Sequence, residues 1–295
     1  MREISVIIPT YNRPDDLGRV LDSYYVQDGV LEIIVIDDAS ELDYSETINR
    51  FNKKYNEIPL RYTKNSRNLG AGASRNVGIR LAQGKYILWG EDDAFLAQDY
   101  TKVLLSKMDS RKVLFGSIYY GIFPEMPLVE KGEIIEKQRN SNRPVFDYET
   151  FEGYYRKKMD DDSVVPYGHA LILVPSEVYR HVGYFEGYRV NGYREETDAQ
   201  VQMTKLGYEI IYTTDTECYH FPPVNKKGGQ HHSNRLRYEY YKVINNNLFL
   251  ERHYSFLKEK YGLKKGMLAF KVEFDLFVLK GIVKGMVGRL KGLFK

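Results

Sequence analysis

The first 115 residues alternate short apolar, β-branched runs with segments of helical spacing, and this pattern restricts the fold more than any other feature. Ile4-Ser5-Val6-Ile7-Ile8 stops at Pro9, and Leu31-Glu32-Ile33-Ile34-Val35-Ile36 stops at two aspartates. Lys85-Tyr86-Ile87-Leu88-Trp89 runs into Gly90 and three acids, and Leu60-Arg61-Tyr62 reads as a further strand. Between these runs, Asp15 to Val26 sets Leu17, Val20, Leu21 and Tyr24 at helical intervals, and Glu46–Tyr55 and Ala73–Ala82 read as helices. Strands apolar on both faces and separated by helices form a mostly parallel sheet covered on two sides, an α/β fold. Ligands of such sheets bind beyond the carboxyl ends of the strands. Those ends carry Thr10-Tyr11-Asn12, Asp37-Asp38 and Glu91-Asp92-Asp93.

The second half is less regular. Residues 116–165 show few strong patterns, Tyr167–Val174 reads as a strand and Pro175–Val182 as a helix. A Gly/Tyr-rich connection then leads to Arg194-Glu195-Glu196-Thr197-Asp198, a helix to Leu206, and a strand over Tyr208–Thr213. A Pro/Gly/Lys loop follows His220, and the chain reads as helical from Asn234 to about Lys260. This divides the chain into 1–225, the α/β domain, 226–263, a lid loop with a helical extension, and 264–295, a basic amphipathic tail. The single cysteine, Cys218, excludes an intramolecular disulfide framework and a Cys-rich zinc site. The apolar run at the N-terminus is too short for a signal-peptide core or a membrane span. Residues 264–295 hold seven lysines and one arginine against Glu273 and Asp275, a net +6 that leaves the preceding residues at −3 of the total +3. An acidic body without a basic stripe argues against nucleic acid as a partner.

Glu91-Asp92-Asp93 directly follows a buried strand, where its carboxylates fit either a hard cation bridging phosphate oxygens or a helix N-cap with extra acids in the first turn. Asp37-Asp38 fits a base or ribose contact, or an Asx-capped turn. In Asn68-Leu69-Gly70-Ala71-Gly72-Ala73-Ser74-Arg75-Asn76, the backbone can approach a phosphate at a helix N-terminus. It has neither GxGxxG nor a Walker lysine, so dinucleotide and P-loop readings fail.

Taken in order, SVIIPTYNR, IIVIDDAS, NLGAGASRNVGI, GKYILWGEDD and YREETDAQVQMTKLGY resemble the family 2 glycosyltransferases of the GT-A fold, over residues 3 to 220. The resemblance implies an inverting, metal-dependent glycosyltransferase that moves a sugar from a UDP- or GDP-linked donor to a hydroxyl of a glycan or lipid-linked acceptor. It implies nucleotide contacts at Thr10, Tyr11, Asp37 and Asp38, with Arg75 near the diphosphate and Asp92 beside it. The family's Asp-x-Asp stands here as Glu91-Asp92-Asp93, so Asp93 takes the position that holds Mn2+ or Mg2+, with Glu91 and His220 as further ligands. Where many relatives read Glu-Asp-x-Asp, the second acid acts as base, and that position is Glu196, with Glu195 and Asp198 in reserve. Alternatives are a catalytically silent, nucleotide- or glycan-binding scaffold of the same fold and, less consistent with PTYNR after the first strand, a nucleotidyltransferase.

Other features are read on their own terms. Lys226-Lys227 beside Gly228-Gly229 fits a lid over the diphosphate, and His231-His232 a polar loop rather than a metal pair. Tyr184, Tyr188 and Tyr193 lie next to the expected base, where aromatic faces pack on sugars. Asp160-Asp161-Asp162 reads as a solvated loop. From Leu276 to Lys295, apolar residues gather on one helical face with Lys280, Lys284, Lys291 and Lys295 to its side. That arrangement suits an anionic membrane surface, placing the protein at the inner face of the cell membrane. Gly281, Gly285, Gly288 and Gly292 line the back, which leaves packing on the chain's own body or in a homo-oligomer as the alternative.

Overall fold

The computed structural model describes residues 2–221 and 234–293. The lid loop expected at Lys226–Gly229 and the pair His231-His232 lie outside the described residues. The four leading strands are β1 (Ile4–Thr10), β2 (Val30–Asp37), β3 (Leu60–Lys64) and β4 (Tyr86–Trp89), all parallel, in the order β3-β2-β1-β4. Helices α1 (Pro14–Tyr25), α2 (Ser45–Lys54) and α3 (Ala71–Leu81) make the crossovers. Each strand is nearly continuous in burial: Val6, Ile7 and Ile8 of β1 and Ile33 to Ile36 of β2 are inaccessible to solvent. Burial on both faces, rather than alternation, is what made these runs legible as parallel strands.

Beyond β4 the sheet changes character. The short β5 (Ala94–Leu96) and helix α4 (Tyr100–Lys107) precede β6 (Lys112–Tyr120), helix α5 (Leu128–Arg139), the two-residue strands β7 (Phe146–Asp147) and β8 (Glu152–Gly153), and β9 (Ser163–Val165). The strand expected over Tyr167–Val174 is confined to β10 (Leu173–Pro175), wedged antiparallel between β4 and β6. Tyr167 to Ile172 is largely buried but irregular, because side chains satisfy its backbone. Gly168 N–H donates to Gln200 Oε1, while His169 accepts from Leu171 N–H and donates from Nε2 to the Gly116 carbonyl. The expected helix after it is a single 3-10 turn, Ser176–Arg180. Helix α6 (Glu195–Lys205) is followed by β11 (Glu209–His220), which runs seven residues past the expected end at Thr213. β11 breaks register with β6 between Tyr212 and Glu217 and then continues beside both β6 and β5, so its tip, His220, pairs with Ala94.

Helices α7 (Arg235–Tyr261) and α8 (Met267–Leu293) form an antiparallel hairpin on the body. Asn234 caps α7 by accepting from Leu236 N–H, and Gly262 ends it in the left-handed conformation, φ 63°. Phe249, Leu250 and Leu257 of α7 and Phe270 of α8 join the same core as β1 and β2. Tyr254 meets Phe270, Lys271 pairs with Glu251, and Arg235 lies against Gly285, where a Cβ would stand 2.7 Å from its Nη2. The glycine-bearing side of α8 thus meets α7 at Gly285. Among the described residues no helix is long and apolar enough to cross a membrane.

Candidate active site

A cleft of about 490 Å³ opens over the carboxyl ends of β1, β2 and β4 and is closed on the far side by the start of α6. At the end of β1, the Thr10 hydroxyl donates to Asp92 Oδ2 at 2.7 Å and lies 2.8 Å from the Tyr44 hydroxyl. Tyr11 lines the cleft beside it. After β2, Asp38 faces the cleft and accepts from Leu69 N–H and Gly70 N–H, each at 2.8 Å, and from Asn65 Nδ2. Its carboxylate holds the glycine-rich loop at the N-terminus of α3, where Gly70 takes φ 89°. Asp37 is different. Fully buried and outside the cleft lining, it caps Ser40 N–H and accepts from the Tyr62 hydroxyl at 2.5 Å, so its expected nucleoside contact gives way to a structural role.

The acids after β4 converge with residues from two other elements. Arg13, in the turn after β1, donates through Nη1 to Asp93 Oδ2 at 2.7 Å and to Asp92 Oδ1 at 3.1 Å. His220 Nε2 lies 3.3 Å from Asp93 Oδ1. One ligand atom each from Glu91, Asp93 and His220 lie within 4.8 Å of one another. Burial pushes the Glu91 carboxyl up to about 8, aided by Glu196 and Asp93 against His220, and pushes Asp92 up to about 6 against the opposing charge of Arg13. Burial also opposes charge on His220, but the Asp93 carboxylate outweighs it and raises the imidazole to about 9. These three side chains offer one ligand atom each and could hold a metal ion.

Across the cleft, α6 begins at Arg194, held at φ 74°. Arg194 is itself buried and donates to Asn246 Oδ1, the Tyr167 hydroxyl and Glu152 Oε1. This bend aims Glu195 and Glu196 at Arg75 of α3, which bonds to both, the Glu196 contact at 2.5 Å. Glu195 is buried, and desolvation lifts its carboxyl to about 7 although Arg75 resists. Glu196 keeps 31% of its side-chain surface open to the cleft. Arg75 was expected beside a diphosphate; it lines the cleft but is already paired with these two acids. Asp198 lies outside the cleft. Its carboxylate is enclosed by Tyr188 (2.8 Å), Arg252 (2.7 Å), His253 (2.6 Å) and Gln202 (2.5 Å), which fastens α6 to α7 and removes it from the candidate bases. Of the tyrosines, Tyr193 faces the cleft, Tyr184 lies under Arg75 and Tyr188 is turned to Asp198. Asp162 of the acid run pairs with Lys107 at 3.0 Å, away from the cleft.

Sequence reasoning missed Arg13 and Arg194. Arg13 stands inside PTYNR, and the signal for it was the need of a buried acid run for a countercharge.

The strand order, the cleft over the strand ends and the acids gathered there define a GT-A type of glycosyltransferase fold. Solved structures agree: GalNAc-T7 with UDP, GalNAc and Mn2+ superposes with a TM-score of 0.62 at 16% identity, covering 98% of this chain and 58% of that one. A Staphylococcus aureus TarS fragment in complex with UDP-GlcNAc gives 0.56 at 16% identity, over 94% and 71%. The model of glycosyl transferase family 2 matches residues 5–174, and the chain belongs to that family. The Bacillus spizizenii poly(ribitol-phosphate) beta-glucosyltransferase is 37% identical over 101 residues, 33% of this chain and 16% of that protein. The Salmonella typhimurium abequosyltransferase RfbV is 36% identical over 116 residues, 38% of this chain and 34% of that protein. The chain thus spans about a third or less of the length of these curated relatives.

Proposed function

We propose that the protein transfers a sugar, with inversion, from a nucleotide-diphosphate donor to a hydroxyl of a glycan or lipid-linked acceptor. The observation that carries this is the meeting, in one cleft, of Asp38, the Glu91–Asp93–His220 cluster and Glu196 from four separate parts of the chain. Thr10, Tyr11 and Asp38 form the nucleoside side. Glu91, Asp93 and His220 would hold Mn2+ or Mg2+, which when bound neutralises the charge that develops on the departing diphosphate. Arg13 keeps Asp92 and Asp93 in place. The acceptor oxygen forms its bond to the anomeric carbon as the bond to the diphosphate oxygen breaks, and Glu196 takes the hydroxyl proton. Glu196 suits this better than Glu195 because its carboxylate is reachable from the cleft while Arg75 secures its position. The relatives named for glucosyl and abequosyl transfer and the solved folds holding UDP-GlcNAc or UDP with Mn2+ support the same chemistry.

The helical hairpin supports a location at the inner face of the cell membrane. Leu268, Val272, Leu276, Leu279 and Val283 are exposed at helical intervals on α8, with Lys280 and Lys284 exposed among them. Such a stripe suits the interface of an anionic bilayer.

The direct test of the donor site is thermal shift with UDP-, GDP- and CDP-sugars, with and without Mn2+. One donor class should raise the melting temperature only with metal, and Asp93→Ala should remove that rise. A rise that survives Asp93→Ala would remove Asp93 from the metal site.

A further inference from the structure

Four arginines line the cleft, and three are neutralised by carboxylates: Arg13 by Asp92 and Asp93, Arg75 by Glu195 and Glu196, Arg194 by Glu152. The fourth, Arg156, follows β8 and has no carboxylate partner among the described residues. The undescribed residues 222–233 contain no aspartate or glutamate to supply one. Instead its guanidinium lies over two tyrosine rings, 4.5 Å from the centre of Tyr120 and 4.8 Å from that of Tyr154. Arg143 approaches the same Tyr154 ring at 5.7 Å, also without an acid among the described residues, and Lys157 and Lys158 are exposed alongside.

Arg156 and Arg143 thus set two guanidinium groups on one ring without a carboxylate partner among the described residues, in a cleft whose other arginines are compensated. Aromatic rings do not take up N–H groups as a carboxylate does, so a guanidinium held over them keeps N–H donors for an oxyanion, the group arginine is suited to. The location separates Arg156 from the nucleoside end of the donor. The nucleoside residues belong to β1 and β2, whereas Arg156 neighbours Glu152 and Gly153 on the wall leading to Arg194 and the proposed base. It is nevertheless close to the reacting centre, since the Tyr120 ring it covers lies 5.3 Å from that of His220.

We propose that Arg156, braced by Tyr120 and Tyr154, receives an oxyanion carried by the acceptor, either a phosphate ester or a carboxylate near the reacting hydroxyl. This rests on the glycosyl-transfer reading of the cleft and narrows its acceptor to an acidic one.

The test uses the full chain and two matched pairs of ligands: glycerol 3-phosphate against glycerol, and methyl glucuronide against methyl glucoside. Binding is followed by ligand-observed NMR in the presence of the nucleotide-sugar and metal that give a thermal shift. The charged member of at least one pair should bind at least tenfold more tightly, and which pair responds separates a phosphate from a carboxylate. Arg156→Ala should reduce that preference below threefold, and Arg156→Lys should keep part of it. The donor-induced thermal shift should be the same in all three proteins. Equal binding of charged and neutral ligands by the wild type, or full preference in Arg156→Ala, would overturn the proposal. So would loss of the donor shift in Arg156→Ala, which would assign the guanidinium to the diphosphate. A wild type without any donor shift would instead remove the reading on which the proposal rests.

Discussion

Each acid of the cleft is set there by the end of the element that carries it. A parallel sheet turns its carboxyl edge into a ligand site, and Asp38, Glu91 and Asp93 reach the cleft from strand ends while Glu196 reaches it from the start of α6. Their neighbours in sequence did not all follow. Asp198 stands two positions after Glu196, about 200° around the helix, so when one faces the cleft the other faces α7. Asp37 is the last residue of β2 and Asp38 the first beyond it; Asp37 is fully buried and Asp38 reaches the cleft. The wiring of each carboxylate depends on partners far away in sequence, such as His253 and Tyr62, which no local pattern announces. Burial works against the Asp198 charge, but His253 and Arg252 hold its carboxyl down at about 2, below its value in the unfolded chain. The stabilisation is therefore complete above about pH 4 and is lost as the pH falls through 2. Asp198→Asn should cost about 2 kcal/mol in urea unfolding at pH 7, and its deficit should shrink at pH 3. A deficit that is constant with pH would show that the charge contributes nothing.

At the scale of elements, the parallel half was read from the chain because its signal is local, whereas the antiparallel half was not. β10 is three residues long and sits in an apolar stretch that strand and buried coil share, so only the backbone partners Gln200 and His169 decide between them. The long β11 runs past its expected end at Thr213 because Thr-Thr-Asp-Thr forms the register break that carries the strand on to His220. Gly116 of β6 makes that break possible. A Cβ there would stand 2.6 Å from the Thr216 carbonyl oxygen and 2.8 Å from the Tyr100 ring. Gly116→Ala should therefore destabilise the fold by about 2 kcal/mol, as overpacking of a buried site does. Because the break positions His220, the variant should also bind Mn2+ more weakly. Unchanged stability in denaturant titration would mean that the strands separate at no cost.

The whole molecule joins a nucleotide-type sheet to a helical hairpin that shares its core and leaves an apolar, lysine-bearing stripe exposed on α8. Helical spacing made that stripe legible and left packing of the glycine-bearing side on the body as an alternative; tertiary contact brings that side to α7 at Gly285. Full-length protein should float with vesicles rich in anionic lipid and remain behind with neutral ones. Replacing Leu276, Leu279 and Val283 together by glutamate should abolish flotation while leaving the donor-induced thermal shift intact. Flotation equal in both proteins would place the membrane contact elsewhere or nowhere. The central claim, that one cleft unites donor, cation and base, is tested most directly by following the anomeric proton of the metal-dependent donor by NMR as it is consumed. The wild type should release sugar first as the anomer opposite to that of the donor, and Glu196→Gln should bind the donor with the same thermal shift yet stop its consumption. Retained configuration, or near-normal consumption by Glu196→Gln, would contradict the account.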